Sequence, residues 1–78
     1  MQMPVQRIES DAYEIGQKIR VRRKELHLSQ DDLAKLTGVS RQTISAIEKG
    51  DYNPTINLCI AICIVLGKTL DELFWPDA

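Results

Sequence analysis

The sequence predicts an all-α fold of five short helices, and three observations carry that reading. No segment alternates apolar and polar residues with the period of two that a half-buried strand requires. Hydroxyl residues suited to open a helix recur at Ser29, Ser40, Thr55 and Thr69. Residues suited to stop one, Gly38, Gly50, Gly67 and Pro76, follow them at helical distances.

Residues 1–10 contain Pro4 and no apolar periodicity, so a flexible N-terminal arm is expected ahead of a folded domain over 11–76. The first helix is expected to open near Ser10 or Asp11, where Asp11 and Glu14 have capping-box spacing. It runs to about Leu26, with Ile15, Ile19 and Leu26 on one side, and His27 and Leu28 end it. Ser29 caps a second helix, Gln30 to Thr37, whose first turn holds Asp31 and Asp32 where the helix dipole favours anions. Gly38 stops it and Val39 forms the turn. Ser40 caps a third helix, Arg41 to Lys49, which Gly50 closes. After the loop Asp51-Tyr52-Asn53-Pro54, Thr55 caps a fourth helix that runs to Leu66 and ends at Gly67. Thr69 and Glu72 have capping-box spacing for a last helix, Leu70 to Trp75, terminated by Pro76.

Seventy-eight residues make one domain, and a hydrophobic share of 44% with 27% charged residues is that of a globular chain. The longest apolar run, Leu58 to Leu66, is less than half the roughly 20 residues a membrane span needs. Residues 1–11 lack an apolar signal-peptide core, so the expected location is the cytoplasm, with no membrane partner. Cys59 and Cys63 stand four apart, where helical Cβ atoms lie about 5–6 Å from each other and a disulfide wants roughly 3.8 Å. With a single histidine, His27, and no ligand spacing around it, the thiols read as reduced core residues, and neither metal nor cofactor is expected. No Gly-rich phosphate loop or nucleophile–base pairing suggests an enzyme.

The net charge is −1, but its distribution is uneven. From Ile15 to Gly50 eight bases face four acids, a balance of +4, while the segments before and after carry −2 and −3. A phosphate backbone responds to the local field, so the middle of the chain suits an anionic polymer despite the total.

The informative stretch is Ser29 to Gly50. Two short helices joined through Gly38 and Val39 must cross steeply. Ala34 is small where they approach, and Leu33, Val39, Ile44 and Ile47 supply the apolar wedge. Together these specify a helix-turn-helix over residues 30–49. Here the chain resembles the lambda-repressor and Cro-like helix-turn-helix family of regulators. The resemblance rests on Ile19-Arg20, Arg23, Leu28 to Ala34, Gly38 to Ser45, Ile47 to Gly50, Asn53-Pro54-Thr55, Leu66-Gly67 and Leu70 to Phe74.

That resemblance implies a five-helix domain whose third helix enters the DNA major groove, acting as a sequence-specific transcriptional regulator. A repressor bound to a two-fold operator as a homodimer is the leading form. Its partner would be double-stranded DNA, with no small-molecule ligand expected. Arg41, Gln42, Ser45 and Ala46 fall at base-reading positions; Arg can fork onto guanine and Gln can pair with adenine. Gln30, Ser40, Thr43, Lys49, Tyr52 and Asn53 are the expected backbone contacts. Arg23 and Glu48 match positions that form a structural ion pair between the first and third helices. The fourth helix should bury Leu58 or Cys59, Ile62, Cys63 and Leu66, which leaves Ala61 and Ile64 apolar on its far side. With Phe74 and Trp75 these make the expected dimer interface. The alternative is a module whose chief task is binding another protein, such as the antitoxin of a toxin–antitoxin pair, or a restriction–modification controller. Two residues depart from the family pattern. Arg22 stands where relatives are apolar, so either the helix rotates or the arginine lays its stem over the core. His27 stands where glycine is common.

Overall fold

Helix starts in this chain are fixed by side-chain oxygens that accept backbone N–H groups left without helical partners. Ser29 Oγ accepts from the Asp32 amide at 2.9 Å, and Asp32 Oδ2 accepts from the Ser29 amide at 2.9 Å, closing a capping box. Ser40 Oγ accepts from the Thr43 amide at 3.1 Å and Thr55 Oγ1 from the Leu58 amide at 3.2 Å. Each such cap typically contributes about 1 kcal/mol. The computed structural model describes residues 5–76, with side chains over 11–76. It gives α1 (Val5–Glu25), α2 (Gln30–Thr37), α3 (Arg41–Lys49), α4 (Ile56–Leu66) and α5 (Leu70–Leu73), with no strand among the described residues. The fold is all-α.

Two boundaries depart from expectation. Helix α1 begins at Val5, ahead of Ser10 and Asp11, so Asp11 and Glu14 lie inside it and form no capping box. Neither glycine nor proline interrupts the chain between Val5 and Asp11, and extending an existing helix adds one bond per residue fixed. Residues 1–4 of the expected arm lie outside the described residues. Helix α1 ends at Glu25, and His27 takes the left-handed conformation, φ 59°, that turns the chain toward α2. Helix α5 ends at Leu73, two residues before Trp75, with the Phe74 amide still bonded to the Leu70 carbonyl at 2.7 Å. Pro76 explains the early stop, because the residue before a proline is pushed out of the helical region.

Helix α2 packs on α3 and α4, and α1 packs on α3 and α5. Their shared core holds Ile19, Leu33, Ile44, Ile62 and Leu66, all fully buried, with Ala34, Ile47, Leu58, Cys63 and Leu73 around them. Val39 packs against this core from the turn. Burial pushes the Cys59 and Cys63 thiols above the ordinary range, which keeps them protonated and poorly nucleophilic.

Helix α1 meets α3 backbone to backbone. A Cβ on Gly16 would lie 2.5 Å from the carbonyl oxygens of both Ile47 and Glu48. Arg22 resolves its own departure from the family pattern. It is half-buried, and its Nε donates to the Leu66 carbonyl at 2.9 Å, placing a cation at the negative end of α4. None of the helices among the described residues is long and apolar enough to cross a membrane.

Candidate nucleic-acid interface

The pose of α3 is set from beneath by one charged network. Arg23 is 6% exposed and Glu48 is 3% exposed. The arginine Nε donates to Glu48 Oε2 at 2.7 Å and its Nη2 to Oε1 at 3.1 Å, a two-point fork. Its remaining Nη1 reaches the Leu28 carbonyl at 2.8 Å, so the same side chain ties down the link between α1 and α2. Gln30 Nε2 donates to Glu48 Oε1 at 3.1 Å, and Gln17 Nε2 donates to the Glu48 carbonyl at 3.2 Å. Three helices therefore converge on one glutamate. Among the described residues no buried side-chain polar atom lacks a partner, which is what allows these charges to sit away from water.

With Ile44 and Ile47 buried beneath it, α3 presents its other side outward. Arg41 and Gln42, its first two residues, are exposed beside the Ser40 cap. Ser45 and Ala46 are half-buried one turn further on, and Lys49 is exposed at the end. Among the described residues no ion pair engages Arg20, Arg41 or Lys49, so their charge is available to an outside anion.

The residues expected at the DNA backbone differ in what they have left to offer. Gln30 spends one amide hydrogen on Glu48 and keeps the second for an acceptor such as a phosphate oxygen. Ser40 and Thr43 hydroxyls lie 3.0 Å apart and bond each other, which leaves one hydrogen of the two to donate outward. Tyr52 and Asn53 are exposed in the loop after α3. The Ser29 amide and hydroxyl hold the Asp32 carboxyl below the usual carboxylate range, while Asp31 is paired with Lys35 at 3.4 Å. Gln30, Ser45 and Lys49 meet Gln17 and Arg20 of α1 around a cleft of about 290 Å³ floored by Glu48. Two of those residues, Gln17 and Arg20, carry no site role in the sequence reading. Their signal is spacing: Gln17 and Arg20, and Arg20 and Arg23, are three apart, so each neighbours the next on the surface of α1.

On α4, Leu58, Cys59, Ile62, Cys63 and Leu66 point inward. Ile64 is 74% exposed and Ala61 half-buried. Ile56 and Ile60, absent from the sequence-derived set, are also exposed and stand at four-residue intervals with Ile64. Trp75 is 70% exposed, whereas Phe74 packs partly against the core.

The sequence pattern of the family described as Helix-turn-helix matches residues 19–73. The chain is 40% identical over 60 residues to the HTH-type transcriptional regulator YgzD of Bacillus subtilis, covering 77% of this chain and 91% of that protein. It is 38% identical over 63 residues to the ImmF control region 10 kDa protein of Bacillus phage phi105, covering 81% of this chain and 70% of that one. The crystal structure of the restriction-modification controller protein C.AhdI from Aeromonas hydrophila superposes with a TM-score of 0.79 at 31% identity. That match covers 83% of this chain and 98% of the other.

Proposed function

The chain belongs to the lambda-repressor- and Cro-like helix-turn-helix family of DNA-binding transcriptional regulators, and from that membership we propose that it represses transcription by occupying a two-fold operator as a homodimer. One observation carries the reading of the site. Arg41 and Gln42 stand exposed, with no partner among the described residues, at the leading end of a helix whose pose is fixed by a buried ion pair. Side chains held this way arrive at base edges already oriented, and guanidinium and amide groups match the hydrogen-bonding edges of guanine and adenine in the major groove. Ser45 and Ala46 lie one turn behind and present small surfaces, suited to a single hydrogen bond and to a thymine methyl. Gln30, Ser40, Thr43, Lys49, Tyr52 and Asn53 surround them as the phosphate-facing set.

Arg41→Ala and Gln42→Ala are each expected to weaken binding to a selected operator by about 1–3 kcal/mol and to relax preference at particular base pairs. Gln30→Ala should weaken all sequences evenly, since a phosphate contact carries no base information. The check is an in vitro selection from random duplexes with each variant. The same consensus returned by an Arg41→Ala, Gln42→Ala double variant would overturn the recognition-helix assignment.

The dimer reading draws on α4, which is apolar nearly all round. Ile56, Ile60 and Ile64 form one exposed stripe with the half-buried Ala61 on the same helix, and Trp75, after α5, is also exposed. The exposed edge of Phe74 contributes less than the sequence suggests, because its ring is partly committed to the core. Ile64→Glu combined with Trp75→Lys should give a folded monomer. Loss of the second half-site contact should then lower operator affinity by about 10²-fold or more. Sedimentation of the wild-type protein as a monomer at high micromolar concentration, without DNA, would remove this part of the reading.

A restriction–modification controller is the second reading. It is favoured by the superposition on C.AhdI over nearly all of that protein's length. The two readings part at the genes beside the operator, which would include a restriction endonuclease under the second.

A further inference from the structure

We infer that Arg20, on α1, is a phosphate-binding residue that joins Gln30 and Lys49 in clamping one DNA backbone phosphate at the cleft between α1, α2 and α3. The inference rests on the DNA-binding reading above and extends it to a helix that the helix-turn-helix motif does not include. The cleft, about 290 Å³, is lined by Gln17, Arg20, Gln30, Ser45, Glu48 and Lys49. Its only carboxylate among the described residues, Glu48, is neutralised from below by the two-point fork of Arg23. That leaves the rim with two cations, Arg20 and Lys49, both exposed and neither paired with a carboxylate among the described residues. Gln30 lines the same cleft, and its second amide hydrogen is a neutral donor on a side chain anchored by its first hydrogen on Glu48. A pocket with two positive charges, neutral donors and no free negative charge is complementary to a singly charged phosphodiester.

The position of the cleft fits the same occupant. It opens beside Ser45 and Lys49, on the side of α3 away from its buried Ile44 and Ile47, so a duplex whose groove received α3 would bring its phosphate wall to this rim. Gly16 makes this possible. Because α1 touches the α3 backbone there, Arg20, one helical turn past Gly16, comes to the rim of the same cleft as Ser45 and Lys49.

The test is the salt dependence of binding, measured on a duplex recovered by selection with the wild-type protein and on a scrambled duplex of equal length. Arg20→Gln should weaken both duplexes by a similar factor, roughly tenfold, and reduce the slope of log affinity against log salt by about one. Arg20→Lys should retain the slope, and both variants should melt with the wild-type protein because Arg20 is exposed. If Arg20→Gln left affinity and slope unchanged while Arg41→Ala still relaxed site preference, the clamp would be refuted and the DNA-binding reading would stand. A loss confined to the selected duplex would refute it too, because Arg20 would then read bases. A wild-type protein with no salt-dependent affinity for either duplex would overturn the DNA-binding reading itself.

Discussion

Glu48→Ala is expected to lower the unfolding free energy by about 3–5 kcal/mol, because it strands a buried, permanently charged guanidinium. Arg23 is 6% exposed, and two of its three bonds end on the lost carboxylate. Gln30 loses its anchor in the same change. Small domains hold roughly 5–15 kcal/mol in all, and 78 residues bury a modest core, so the variant should approach the limit of stable folding. Urea denaturation checks it through the transition midpoint. The asymmetry of buried pairs supplies a sharper comparison. Replacing both partners with apolar residues, Arg23→Met with Glu48→Leu, should cost far less than removing one, since no charge is then left unsolvated. An unchanged midpoint in Glu48→Ala would show that the pair adds nothing to stability.

Gly16→Val is expected to cost about 3 kcal/mol, at the upper end of what overpacking does. Two opposing effects decide the sign. Replacing a helix-interior glycine gains less than about 1 kcal/mol of helix propensity. Against that gain, a Cβ would sit 2.5 Å from two carbonyl oxygens of α3, and these are backbone atoms that cannot swing aside. Relief requires α1 to move off α3, which stretches both the Arg23–Glu48 fork and the Gln17 bond to the Glu48 carbonyl. The melting temperature should fall by roughly 12–24 °C for a domain this small. Gly16→Ala separates the two effects: a stabilised variant would show that propensity wins and that α1 can yield.

The Gly16 contact also shows where sequence reasoning stopped. A glycine inside a helical pattern is an anomaly visible in the chain, and it signals close approach of some neighbour. Which neighbour it meets depends on the crossing of α1 and α3. Arg20 is similar: its chemistry is plain, but whether it faces solvent alone or rims a cleft with Gln30 and Lys49 is a matter of three helices. The exposure of Ile56 and Ile60 is hidden in the sequence because a helix that is apolar nearly all round does not show which of its sides is buried. Arg22, flagged from the sequence as a misfit, finds its partner in the Leu66 carbonyl, forty-four positions away.

Five helices, the stops at Gly38, Gly50 and Gly67, and the helix-turn-helix are all legible in the chain of letters. Caps and stops are contacts within about four residues, so their chemistry is written in adjacent letters. Distant pairings were legible only where a family pattern already carried them, as for Arg23 and Glu48. The start of α1 at Val5, the backbone contact at Gly16 and the gathering of Gln17, Arg20, Gln30 and Lys49 around one glutamate emerge only in the folded chain. These depend on how far a helix can run before packing stops it and on which faces meet, and neither is encoded in any window of neighbouring residues.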